Sequence, residues 1–278
     1  PVKIKKKDFN ENERNKIIQT MGLNNKKPII LVFGGSQGAK RINDTLVEII
    51  KTKLNKDYQV IWATGPKQYD IIKEELEMSN ININNIENMK ILPYIYNMEE
   101  LMNVVDVIVA RSGAMTITEI SNLGKPAILV PLPNVSHDHQ LYNAKALEKV
   151  GAAKIILDNE INGKILNKTV EEIILDKQKM KEMGKNALKI STRDAEDKIY
   201  KEIKKIKPNV LLGISPDGNL ENNYDTHYID VKIWLKEENY IDYIMPQIYY
   251  GFLNEKKPFI QTVNEWNNLI KNNTKLVV

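Results

Sequence analysis

Three loops in this 278-residue sequence place glycines, hydroxyls and amides at spacings that suit an anionic, hydroxyl-rich ligand. The first is GGSQGAKRIN, residues 34–43, which follows a β-branched run and leads into a helical pattern. Glycines at a strand's carboxyl end let the backbone approach a phosphate, and the helix behind them presents unpaired N–H groups and its positive dipole end. Ser36 and Gln37 would add a hydroxyl and an amide between Gly35 and Gly38. Read alone, the same turn serves equally as a strand-to-helix connection that needs glycine only for its dihedral angles. It carries neither the GK[ST] of a P-loop nor the spaced glycines of a dinucleotide fold, which argues against hydride chemistry.

The second loop is Arg111, Ser112, Gly113 and Ala114, running into MTITEISNLG. Here again a helix start faces a strand's carboxyl end, and two such termini suit a diphosphate between them. Glu119, a turn and a half into that helix, could accept hydrogen bonds from two ribose hydroxyls; a solvated helix acid is the alternative. The third loop, PLPNVSHDHQLYNA at residues 131–144, carries His137, Asp138, His139 and Gln140. Two histidines one residue apart with no third ligand make a poor metal site, so no metal is expected. Gln140, with a donor and an acceptor in one side chain, suits adjacent sugar hydroxyls.

These loops need a parallel sheet to hold them. From Lys27, apolar runs at PIILVFGG, YQVIWATG, MKILPYI, DVIVARSG, PAILVPLP and AAKIIL alternate with stretches whose apolar residues recur at three- and four-residue spacing. That is the pattern of βαβ units, and runs so continuously apolar predict helices on both sheet faces. After Leu157 the pattern is purely helical, near residues 169–175, 178–190 and 192–206, with Thr192 or Asp194 as a cap for the last. Pro208 punctuates the chain, and a domain boundary is expected at Lys207.

Composition bounds the function. The 40 basic and 36 acidic residues leave a charge of +4, and the lysines are dispersed with no aromatic-rich basic stripe, so nucleic acid is not an expected partner. There is no cysteine, which excludes disulfides and cysteine metal sites. No apolar run approaches the ~20 residues that span a bilayer, and the opening PVKIKKKDFNENERNK lacks a secretory signal's apolar segment. A cytoplasmic protein is expected, and a start without methionine suggests a fragment.

GGSQGAKRIN, ARSGAMTITEISNLGKPAILVPLP and HQLYNAKALEKVGAA, in that order and spacing, resemble the carboxyl-terminal half of the undecaprenyldiphospho-muramoylpentapeptide beta-N-acetylglucosaminyltransferase family over residues 1–206. The resemblance implies an α/β fold, a Rossmann-like parallel sheet forming one half of a two-lobed GT-B glycosyltransferase. It implies UDP-N-acetylglucosamine as donor and transfer, with inversion, to an undecaprenyl-diphosphate-linked muramoyl-pentapeptide, without a cofactor. Ser36 and its neighbours Gly35, Gln37 and Gly38 resemble the diphosphate contact, as do Arg111, Ser112, Gly113 and the amides of Ala114 and Met115. Ile95 resembles the position whose backbone pairs with uracil, Glu119 the ribose acid and Gln140 the sugar-reading glutamine. His139 stands where the family often has a second glutamine, a departure that leaves that sugar contact open. The acceptor site, the general base and peripheral contact with the inner face of the cell membrane belong to the family's other half, so this chain is expected to turn over little or nothing alone. UDP-N-acetylglucosamine 2-epimerases share the architecture, but the paired GGSQGA and SGAxTxxE motifs favour the transferase.

Residues 208–278 restart as NVLLGIS, a polar loop, a helix near 231–237, IDYIMPQIYY, a helix near 259–271 and KLVV. GISPDGN, the run from Tyr224 and EWNNLIKN resemble part of a bacterial glycosyl-hydrolase-like, family-ten-like barrel. About 71 residues is a partial β/α-barrel, since a full one takes roughly 250. The resemblance would place Ser215, Asp217, Gln247 and Tyr249 near strand ends, with no evident pair of catalytic carboxylates among Asp217, Asp230 and Asp242; Trp234, Tyr243, Tyr249 and Trp266 read as core aromatics. Half a transferase joined to a third of a barrel suggests a chimeric or partial gene. The alternatives to a donor domain are a non-catalytic UDP-sugar-binding module with a contact-making tail, and a tail with hydrolase activity.

Overall fold

All six apolar runs of the first segment become parallel strands: β1 (Ile29–Phe33), β2 (Gln59–Ala63), β3 (Met89–Leu92), β4 (Val107–Ala110), β5 (Ala127–Leu129) and β6 (Ala153–Ile155), in the order β3-β2-β1-β4-β5-β6. The structure, a computed structural model, describes residues 6–35, 38–135, 138–192, 195–225 and 229–278. Every residue of β1, β2, β4 and β5 is buried, as expected of a sheet covered on both faces. Alternation then divides the core. Ile30, Val32, Val60, Trp62, Val107 and Val109 meet α2 (Lys40–Thr52), α3 (Pro66–Met78) and α7 (Gly163–Ile174) on one face. Ile29, Leu31, Phe33, Ile61 and Ile108 meet α1 (Glu11–Thr20), α4 (Met98–Val104), α5 (Ala114–Leu123) and α6 (His139–Lys149) on the other. α8 (Lys177–Lys189) contributes to both, through Met183 and Ala187.

Strand order reverses between β1 and β4, whose ends lie level because Phe33 pairs with Ala110. The loops leaving them therefore emerge side by side, one toward α2 and one toward α5. In open α/β sheets this is where ligands bind. One buried residue anchors the first loop from behind. Asn43 donates from Nδ2 to the Thr64 carbonyl at 2.9 Å and accepts from Trp62 Nε1 at 3.0 Å, tying α2 to the end of β2.

The described residues divide into two compact units after Thr192. The sequence boundary stands at Lys207, and the difference is α9 (Ala195–Ile206), which falls in the second unit. The cause is Asp242. Its carboxylate accepts from Tyr200 Oη at 3.1 Å, Lys204 Nζ at 2.8 Å and the Leu212 N–H at 2.8 Å. Asp194, the proposed cap of α9, lies outside the described residues.

In the second unit β7 (Gly213–Ile214), β8 (Tyr243–Ile244) and β9 (Lys275–Leu276) form a parallel sheet in sequence order. The polar stretch after β7 contains α10 (Leu220–Asp225), where only a loop is expected from composition; α11 (Val231–Trp234) and α12 (Phe259–Leu269) lie where periodicity puts helices. Trp266 is the core aromatic anticipated, fully buried with Nε1 donating to the Gly218 carbonyl at 2.8 Å. Tyr249 is not: its side chain is 85% exposed.

Candidate functional site

The carboxyl edge at the strand-order reversal holds a cleft of about 630 Å³, walled by Gly34, Gly35, Gly38, Ala39, Lys40, Arg41, Asp44, Arg111, Gly113, Thr116, Leu132, Gln140 and Asp158. Of the residues singled out in the sequence it brings together Gly35, Gly38, Arg111, Gly113 and Gln140. Ser36 and Gln37 lie outside the described residues, as does His137. Ile95, Ser112, Ala114, Met115, Glu119 and His139 are not part of this wall.

Two glycines explain the shape of the cleft. Gly38 has φ of +79°, and a Cβ there would stand 2.1 Å from the Thr64 carbonyl oxygen, so no other residue fits without moving β2. Gly113 is different. Its φ is −63° and a Cβ would meet nothing within 4 Å, so the fold does not require glycine there; its bareness leaves open the space above α5.

The helix starts carry the electrostatics. Helices α1, α7 and α8 are capped by the side chains of Asn10, Asn162 and Asp176. α2, which starts after Ala39, and α5, which starts after Gly113, have no side-chain cap and no acid in the first turn, as is also true of α3, α6 and α12. Their first intrahelical bonds run from Asn43 to Ala39 and from Ile117 to Gly113. The N–H groups of Lys40, Arg41 and Ile42, and of Ala114, Met115 and Thr116, thus have no helical acceptor. Both helix starts border the one cleft, through Lys40 and Arg41 and through Gly113 and Thr116, so an anion held there would lie at two positive dipole ends.

The third loop is pinned across the second. The fully buried Ser112 hydroxyl donates to the Gln140 carbonyl at 2.8 Å, and Asn143 Nδ2 donates to the Ser112 carbonyl at 3.0 Å. Gln140 in turn accepts at Oε1 from the Leu132 N–H at 3.0 Å, leaving its Nε2 as the group to turn on a ligand. Arg111 Nη1 donates to the carbonyls of Val130 at 3.0 Å and Pro131 at 3.2 Å and pairs with the Asp158 carboxylate. Asp158 Oδ1 makes that contact as an ion pair with no hydrogen bond of good geometry, although it is buried.

Glu119 is half-buried on α5 with no hydrogen-bond partner or counter-ion among the described residues. Burial pushes its carboxyl up to about 7. Ile95, just past β3, buries its side chain, while its N–H donates to no acceptor among the described residues. His139 opens α6 and is exposed. Sequence reasoning passed over Arg41, Asn143 and Asp158. Asp158 follows β6, so its place beyond a strand's carboxyl end was the one available signal.

Among the described residues no group of three or more His, Asp or Glu side chains could hold a metal, and no helix is long and apolar enough to cross a membrane. In the second unit Asp217 sits past β7, opposite Gln247 in an isolated bridge, and its carboxylate accepts from the Asn219 N–H at 2.7 Å, a turn-forming role. Asp242 lies at the opposite, amino end of β8.

Residues 29–199 match the family described as glycosyltransferase family 28 C-terminal domain, and residues 191–278 match glycosyl hydrolase-like 10. Among similar proteins, a UDP-N-acetylglucosamine–N-acetylmuramyl-(pentapeptide) pyrophosphoryl-undecaprenol N-acetylglucosamine transferase of Thermoanaerobacter sp. (strain X514) is 41% identical over 189 residues, 68% of this chain and 51% of the relative. The protein of the same description from Acetivibrio thermocellus is 40% identical over 195 residues, 69% and 51%. The crystal structure of Acinetobacter baumannii MurG superposes with a TM-score of 0.56 at 28% identity, over 67% of this chain and 52% of that one. The chain spans about half the length of the relatives it matches.

Proposed function

Because the chain belongs to the glycosyltransferase family 28 C-terminal domains, we propose that its first unit is the donor half of a transferase, binding UDP-N-acetylglucosamine at the reversal between β1 and β4. The observation that carries this reading is the pair of uncapped, acid-free helix starts of α2 and α5 on one cleft. The diphosphate lies between them, with Ser36 and Gln37 on the first loop and the amides of Ala114 and Met115 on the second. The Ile95 backbone takes the uracil, Glu119 the ribose hydroxyls, and Gln140, with His139 beside it, the sugar.

The reaction is a single displacement. A muramoyl hydroxyl of an undecaprenyl-diphosphate-linked acceptor attacks the anomeric carbon, its proton passes to a base, and the bond to the β-phosphate oxygen breaks with inversion. UDP leaves with an added negative charge. Preorganised amides and two helix dipoles stabilise that charge as it develops, without a metal. The acceptor, the base and contact with a membrane surface come from the half that the relatives have and this chain does not match. The chain by itself binds donor weakly and transfers little. The names of the relatives support this acceptor class.

Calorimetry with UDP-N-acetylglucosamine on the chain and on Glu119→Ala tests the site. The substitution should weaken binding by about 1–3 kcal/mol, the range for losing a charged hydrogen-bonding partner. A wild-type chain that takes up no donor at millimolar concentration refutes the reading.

A further inference from the structure

We infer that Arg41 is a further diphosphate-binding residue of the cleft, aimed by the main-chain carbonyl of Asp158; the inference rests on the donor-site reading above. Three cationic side chains line the cleft. Lys40 is matched by Asp44 at 3.0 Å, and Arg111 by Asp158. Arg41 is paired with no carboxylate among the described residues, yet it is not loose. Its Nε donates to the Asp158 carbonyl at 3.0 Å, 117 residues away in sequence.

That single tether has a geometric consequence. A guanidinium bound through Nε to a neutral carbonyl keeps its two Nη groups and its whole charge for another acceptor. Arg41 is the second residue of α2 and lines the same cleft as that helix start. Asp158 serves both arginines at once, its carboxylate neutralising Arg111 and its carbonyl holding Arg41. Among the described residues the cleft is thereby left with one cation that no carboxylate matches, on the helix whose dipole favours an anion. A planar fork suits a phosphate oxygen pair, and a lysine could not make the same tether and fork together.

Titrations of uridine, UDP, UDP-N-acetylglucosamine and inorganic pyrophosphate into the full chain, with Arg41→Gln, Arg41→Lys and Asp158→Asn, test this. Arg41→Gln should weaken UDP, UDP-N-acetylglucosamine and pyrophosphate roughly tenfold, leave uridine unchanged and flatten the salt dependence of UDP binding. Arg41→Lys should recover only part of the loss. Asp158→Asn keeps the carbonyl and frees the Arg111 charge, so UDP affinity should hold or rise. Equal UDP and pyrophosphate affinities in wild type and Arg41→Gln, or an equal loss for uridine, overturn the inference and leave the donor site standing. Arg41-dependent pyrophosphate binding in a chain that ignores UDP-N-acetylglucosamine overturns the donor reading and keeps the role of Arg41. If wild type binds neither, both fall.

Discussion

Replacing Glu119 with glutamine removes a charge that burial already disfavours. In the folded chain its carboxyl has a pKa of about 7, against 4.5 for a free one. Below pH 4.5 both folded and unfolded chains are protonated at this position and nothing distinguishes them. As pH rises toward 7 the unfolded chain ionises first, so the wild type loses stability across that window and carries the whole penalty above it. A tenfold change in proton affinity is about 1.4 kcal/mol, which sets a ceiling of about 3.4 kcal/mol for the gap. The carboxyl keeps some contact with solvent, so about 1–2 kcal/mol is expected. Urea denaturation followed by circular dichroism at pH 5 and pH 8 measures it. Glu119→Gln should be more stable than wild type at pH 8 by that amount and by about half of it at pH 5, where the unfolded carboxyl is already largely ionised, while binding UDP-N-acetylglucosamine less well at pH 8. Wild-type donor binding should itself strengthen as pH rises through 7. A variant no more stable at pH 8 than at pH 5, relative to wild type, would refute the reasoning.

Gly38→Ala should cost more than about 2 kcal/mol by urea denaturation, because its Cβ meets the Thr64 carbonyl and its φ is left-handed. Gly113→Ala should change stability by less than about 0.5 kcal/mol and still weaken the donor, since the methyl enters open cleft. Asn43→Ala leaves the buried Trp62 N–H and Thr64 carbonyl unpaired, and the same denaturation should show a loss of about 2–4 kcal/mol. Burial alone would raise Asp242, but the Leu212 N–H, Lys204 and Tyr200 outweigh it and hold its carboxyl below the ordinary 3.8. Its contribution is therefore present above that value and lost as pH falls through the lower, folded one. Asp242→Asn should speed tryptic cleavage within residues 193–278 at neutral pH, with the difference shrinking for pepsin in acid.

The elements of the first unit were legible because burial on both faces leaves a local trace. β1 and β2 are unbroken apolar runs, and α2 repeats Ile42, Leu46 and Ile49 at helical spacing. Gly38, at the strand-to-helix turn, is likewise marked by residue type, since a left-handed φ against the Thr64 carbonyl admits only glycine. What residue types could not carry is the pairing of distant loops. Ser112, read as a ligand contact, is buried with its hydroxyl on the Gln140 carbonyl. Arg111 meets Asp158, and Arg41 meets the carbonyl of that residue 117 positions on, a contact with no periodicity to betray it. From residue type Glu119 could be a ribose contact or a solvated helix acid, and only packing takes away its water and raises its carboxyl to about 7. The helix α9, amphipathic by sequence and continuous with the helices before it, falls with the second unit through Tyr200, Lys204 and Asp242. Local pattern decides which segments become strands and helices. Strand order, which alone brings the ends of β1 and β4 level, is a choice among long-range contacts, and that choice turns two separate helix starts into one anion-binding cleft.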